Sequence, residues 1–268
     1  MTSNKIILLL FWLVLVNTSV FSQNDSTFIH ADSTYHKIEM SKTGISSVDD
    51  LKPNQKSWLR RNPAKALVAP VALIGLGTIL IKNPVYDRFD FRKDLKKTFP
   101  NFKGTTVDDY LIYSPYVGLV ALNLLKVKCQ NDFINTSLII LKAEIINVSL
   151  MFALKRLTNI ERPNGEKWAW PSGHTSEAFL AATIVNREYR YKSPWYGVAA
   201  YGVASTVGFF RMLNNKHWLS DVVAGAGLGI FSANLTYITH KWRWGRPGTC
   251  FVPMIMNGQP GMVLVHKF

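Results

Sequence analysis

Between Ala66 and Thr239 the chain repeats one pattern six times: an apolar run of helical length, then a polar or basic connection. The runs lie at about Ala66–Ile81, Tyr110–Leu125 (carrying Pro115), Asn135–Leu154, His174 to just before Arg187, Trp195–Phe210 and Leu219–Thr239. With 48% hydrophobic and only 18% charged residues, the pattern predicts an all-α membrane protein, a six-helix transmembrane bundle with polar loops. Several runs fall short of the ~20 residues a free-standing span needs, so neighbouring helices must shield their polar ends.

The ends of the chain differ from this middle. Residues 1–22 read as a signal peptide: Lys5, an apolar stretch from Ile6 to Val16, then Val20-Phe21-Ser22 before Gln23. Residues 23–62 form a polar arm without the periodicity of a packed element. After Arg246-Pro247-Gly248, two short apolar runs flank Asn257-Gly258-Gln259-Pro260-Gly261, which predicts a small C-terminal β-hairpin over 246–268. The linker 82–109 mixes Tyr86, Phe89, Phe91, Leu95 and Phe99 with Arg88, Arg92, Lys93, Lys96 and Lys97. It reads as an amphipathic helix on the membrane surface or as a solvated loop. Trp168, Trp170 and Trp218 fall near one set of segment ends, and Trp195, Trp242 and Trp244 near the other, as at two membrane rims.

The net charge of +14 suits basic loops at membrane edges and also attraction to anionic lipid or phosphate. The basic residues are scattered among apolar spans and no nucleic-acid-binding motif appears, so nucleic acid is not an expected partner. Cys129 and Cys250 form neither a zinc pattern nor a disulfide framework. In the third run, Glu144 and Asn147 share a helix face with Lys142 nearby; a structural role is expected for them. Gly225 and Gly229 make a small-residue step that allows close helix contact.

Three polar clusters remain, and they supply chemistry. The first is Lys155-x6-Arg162-Pro163; the second is Pro171-Ser172-Gly173-His174; the third is Arg211-x5-His217-x3-Asp221. At a spacing of four, Asp221 can accept the Nδ1 proton of His217, which fixes the tautomer and leaves Nε2 free to attack. Ser172 and Gly173 stand at a helix start, where free N–H groups and the helix dipole favour phosphate. His174 is placed to protonate a departing oxygen. Lys155, Arg162 and Arg211 are cations for phosphoryl oxygens. No cluster of acidic residues suited to a metal accompanies them, so the expected site is metal-independent and needs no cofactor.

Taken together, the three motifs resemble the signature of the type 2 phosphatidic acid phosphatase superfamily, which includes lipid phosphate phosphatases and vanadium haloperoxidases. The resemblance implies a helical core over 63–245, with His217 as nucleophile, Asp221 as its partner and His174 as general acid. It implies phosphate binding by Lys155, Arg162, Ser172, Gly173 and Arg211. The family usually has serine before the third-motif arginine; here it is Phe210, which removes a hydroxyl beside Arg211. The implied activity is hydrolysis of a lipid phosphate or diphosphate of the lipid A, undecaprenyl diphosphate or phosphatidylglycerol phosphate type. It would run through a phosphohistidine, with vanadate as an inhibitor. A vanadate-dependent haloperoxidase and a decayed membrane scaffold are the competing readings. The resemblance implies an integral protein of a bacterial inner membrane with its site at the periplasmic face. A cleaved signal followed by six spans would instead put the site at the cytoplasmic face.

Overall fold

The computed structural model describes residues 62–240 and the backbone of 249–256 and 259–266. The proposed signal peptide, the polar arm up to residue 61, Trp242 and Trp244 lie outside the described residues. Eight helices make up the described bundle: α1 Pro63–Ile79, α2 Arg88–Thr98, α3 Val107–Leu111, α4 Ser114–Leu124, α5 Phe133–Thr158, α6 Gly173–Tyr189, α7 Trp195–Leu213 and α8 Leu219–Thr239. Strands β1 Thr249–Met256 and β2 Gln259–His266 pair antiparallel, from Thr249 opposite His266 to Met256 opposite Gln259, so the second strand starts earlier than its apolar run suggested.

Helix α8 is the centre, packed against α1, α2, α5, α6 and α7. Its glycines explain how. A Cβ on Gly229 would lie 2.0 Å from the Ser176 carbonyl oxygen, and one on Gly225 would lie 2.6 Å from that of Ser172. Backbone therefore touches backbone along the α6–α8 seam, an approach open only to glycine. The core beside it is rich in small residues: Ala178, Ala182, Ala204, Ala226 and Ala233 are buried with Leu180, Ile184 and Val207.

Helix α5 carries the three polar residues of the third run, and each bonds to a different helix. Lys142 Nζ donates to Thr239 Oγ1 at 2.9 Å, Glu144 accepts from the Tyr116 hydroxyl, and Asn147 accepts from the Ser176 hydroxyl. On the same helix Ile134, Leu141, Ile145, Val148 and Phe152 are exposed. Their spacing makes one apolar stripe along the helix. Among the described residues α5 and α8 are long and apolar enough to cross a membrane.

Two expectations need correction. The second apolar run is not one helix. It breaks into α3 and α4, with Pro115 in the first turn of α4, where its missing N–H costs nothing. At 11 residues α4 extends about 16 Å, well short of the hydrocarbon thickness. The basic linker does form a helix, α2, capped reciprocally by Asp87 and Asp90. Its apolar side, however, faces inward: Phe91 and Leu95 are buried with Leu80, Leu219 and Val223.

Candidate active site

The site lies where α5 and α7 end and α6 and α8 begin. Helix α7 ends at Asn214, and the turn after it folds back so that the N–H groups of Lys216 and His217 bond to the Arg211 carbonyl at 3.0 and 3.2 Å. His217 sits in this turn rather than on a helix, so its spacing of four from Asp221 brings the two together across a helix start and not along one helix face. Asp221, in the first turn of α8, accepts from the Trp218 N–H at 2.9 Å and so caps its own helix. The same Oδ2 lies 3.2 Å from His217 Nδ1, and Ser220 Oγ donates to Oδ1 at 3.0 Å. The pair is buried, with His217 at 3% and Asp221 at 0% exposure. Burial pushes the His217 imidazole down to about 4, with Lys155 and Arg162 acting the same way and Asp221 only partly opposing them. At neutral pH the ring is uncharged, Nδ1–H is held by Asp221 and the Nε2 lone pair is free.

The three sequence clusters are joined by direct bonds. Ser172 N–H donates to the Asp221 carbonyl at 3.0 Å, tying the second cluster to the third. Trp218 Nε1 donates to the Glu161 carbonyl at 2.8 Å, tying the third to the first. Lys155 Nζ, on the last turn of α5, donates to the Trp168 carbonyl at 2.6 Å. Lys155 feels the charges of Arg162, Arg211 and Asp221, so the cations do share one site. Trp170 and Trp218 are buried within it rather than standing at a membrane rim, whereas Trp168 is exposed.

Ser172 is fixed from two sides. Its hydroxyl caps α6, accepting from Thr175 Oγ1 at 2.9 Å, and its N–H is committed to Asp221. The N–H is thus taken, while the hydroxyl proton, which the cap does not use, is left to donate to a phosphate. Helix geometry also leaves the N–H groups of Gly173 and His174, the first two helical residues, without an intrahelical acceptor. Arg162 pairs with Glu166 at the surface. The Nε–H groups of Arg162 and Arg211 are buried with no acceptor in the structure, which suits an anionic ligand.

An acidic pair that sequence reasoning missed completes the site. Asp108 is fully buried and accepts from Arg211 Nη1 at 2.9 Å. Asp109 Oδ1 accepts from the same Nη1 at 3.0 Å and lies 2.9 Å from His174 Nε2. Burial raises the Asp109 carboxyl, but Lys216, Arg211 and His174 outweigh it and hold the group below its usual range. The signal was present as an acidic doublet, Thr106-Val107-Asp108-Asp109, beside an otherwise basic linker. The pair also answers the question raised by Phe210: Arg211 is held by two carboxylates from α3. Among the described residues no group of three His, Cys, Asp or Glu side chains could hold a metal ion.

Residues 155–245 match the PAP2 superfamily, a segment that contains all three clusters. This segment carries the chain's likeness to the PAP2 superfamily. A lipid A 1-phosphatase of Porphyromonas gingivalis is 51% identical over 77 residues, a match covering 28% of this chain and 17% of that protein. Two solved structures are similar to this chain. LpxE of Aquifex aeolicus has a TM-score of 0.42 and 21% identity, covering 54% of this chain and 93% of the other. A transmembrane PAP2-type phosphatidylglycerolphosphate phosphatase of Bacillus subtilis has a TM-score of 0.46 and 18% identity, covering 66% and 98%.

Proposed function

We propose that the protein is a membrane phosphatase that hydrolyses a lipid phosphate or diphosphate through a phosphohistidine on His217. The observation that carries this reading is the buried His217–Asp221 pair, bonded through Ser172 to the helix start that bears His174. His217 Nε2 attacks phosphorus and forms a P–N bond while the bond from phosphorus to the leaving oxygen breaks. The leaving oxygen keeps that electron pair and takes a proton from His174. Water then attacks phosphorus and gives a proton to His174; the P–N bond breaks, its electron pair returns to His217 Nε2, and inorganic phosphate departs. Lys155, Arg162, Arg211 and the Gly173 and His174 N–H groups stabilise the charge spread over the phosphoryl oxygens.

The exposed apolar stripe of α5 and the apolar helices around it support a six-helix transmembrane setting. Such a bundle brings a lipid head group to the site while its acyl chains stay in hydrocarbon. The basic residues of α2 stand at the same end of the bundle, since Arg88 and Arg92 stack on Trp218 at 5.0 and 5.3 Å. They attract an anionic head group at roughly 1 kcal/mol per nearby cation. The local match to a lipid A 1-phosphatase supports a lipid A-type substrate first, then undecaprenyl diphosphate and phosphatidylglycerol phosphate.

The test compares phosphate release in mixed micelles from a lipid A-type substrate and from 4-nitrophenyl phosphate. Higher kcat/KM for the lipid is expected; equal efficiency would overturn the lipid reading. Orientation is tested with a cysteine at the exposed Val85, in a background with both native cysteines changed to serine. Labelling by an impermeant maleimide in cells with a permeabilised outer membrane supports a periplasmic site. Labelling only after the inner membrane is opened places it in the cytoplasm.

A further inference from the structure

The short helix α3 is not free to wander. Asn214, at the C-cap of α7, accepts from the Thr105 N–H at 2.9 Å and donates to the Thr105 carbonyl at 2.8 Å and to Asp108 Oδ1 at 2.9 Å. The segment carrying Asp108 and Asp109 is thereby fastened to the same turn that carries Arg211 and His217. The charged groups around His174 are Arg211 from α7 and Asp109 and Asp108 from α3, and Lys216 reaches Asp109 at 3.8 Å.

We propose that Asp109 is the positioning residue of the general acid: its carboxylate, bonded to His174 Nε2 at 2.9 Å, turns the ring so that Nδ1 meets the leaving oxygen. This inference rests on the phosphatase reading above. A carboxylate lying in the phosphoryl position itself would face Lys155 and Arg162. The charges that act on Asp109 are instead Lys216, Arg211 and His174, while those around His217 are Asp221, Lys155 and Arg162. On this reading Asp109, in contact with both, stands on the outer side of His174 and Arg211. There it can stay in place while the phosphoryl group occupies the inner side. The pairing is for His174 what Asp221 is for His217: a carboxylate that fixes one ring nitrogen and frees the other. Burial and Arg211 hold the proton affinity of His174 below its ordinary value, and the Asp109 anion opposes them by favouring the imidazolium, the form a general acid needs. The substrate class that depends on it is one with a poor leaving group, such as a sugar or alkyl phosphate.

The test uses the full-length protein in micelles, with Asp109→Asn and Asp109→Glu. Asp109 is 38% exposed at its side chain, so the isosteric amide leaves packing intact, and thermal melting verifies this. On a sugar or alkyl phosphate lipid, Asp109→Asn should lose about 100-fold in kcat, with Asp109→Glu recovering part of the loss. On 4-nitrophenyl phosphate, whose leaving group needs no proton, the loss should stay within about threefold. The alkaline limb of kcat on the alkyl substrate should move down by about one pH unit or more, because the acid is lost sooner without its anion. An equal fall on both substrates with an unmoved limb would reduce Asp109 to a structural residue. A lower KM with unchanged kcat would make it a competitor of the phosphate. A wild-type protein that releases no phosphate, or a His217→Ala variant that still does, would sink the phosphatase reading instead.

Discussion

At His217 one ring nitrogen carries the proposed chemistry, and its freedom depends on burial and on Asp221. His217→Ala should lower kcat about a thousandfold or more while circular dichroism stays helical. A purified variant with near-normal turnover would refute the nucleophile. The depressed proton affinity of His217 also gives a pH dependence with a definite sign. The folded ring titrates near 4 and the unfolded ring near its ordinary 6.5, so the unfolded chain binds more protons between those values. The stability linked to this group is fully present above about 6.5 and is lost as pH falls toward 4. Denaturant midpoints in micelles at pH 7, 5.5 and 4 should fall in that order, and the fall should be smaller in His217→Gln. The bond between His217 and Asp221 was legible from a spacing of four residues. The contacts of Arg211 were not, because Asp108 lies 103 positions away and no local pattern announces such a pair.

At the scale of elements, the seam between α6 and α8 fixes how His174 and His217 face one another. Gly229→Ala places a Cβ 2.0 Å from a carbonyl oxygen, a clash that backbone must absorb. It should cost about 1–3 kcal/mol or more, read as a lower melting temperature, and reduce activity with it. Gly75→Ala is the control, since nothing lies within 4 Å of its Cβ. It should be neutral or stabilising by up to about 1 kcal/mol, because alanine is the better helix former. Apolar length and the Gly225–Gly229 step revealed five of the six long segments and their close contact. They could not show that the second run breaks. Pro115 alone allows either a kinked helix or a new start, and the choice is made by tertiary packing: the fastening of Asp108 to Asn214 holds the chain before the break. The inward face of α2 was hidden for a similar reason. Phe91 and Leu95 look alike to a bilayer and to a protein core.

At the scale of the molecule, the chain has two kinds of apolar surface. One is the small-residue interior; the other is the outward stripe of α5. If that stripe meets lipid, Ile145→Lys should impair insertion by about 2.5–3.5 kcal/mol and shift protein out of the membrane fraction. In a water-exposed setting the same change would leave the fraction unchanged. The two surfaces answer to different pressures. Bilayers of unequal thickness or fluidity act on the outer helices, where long side chains can yield. His174 on α6 and His217 in the turn just before α8, by contrast, are carried by helices whose main chains already touch at Gly225 and Gly229, with no side chain left between them to compress. The spacing of His174 and His217 should therefore be nearly blind to lipid composition, so that under the proposed function a change of host membrane alters how substrate arrives rather than how its phosphate is cleaved.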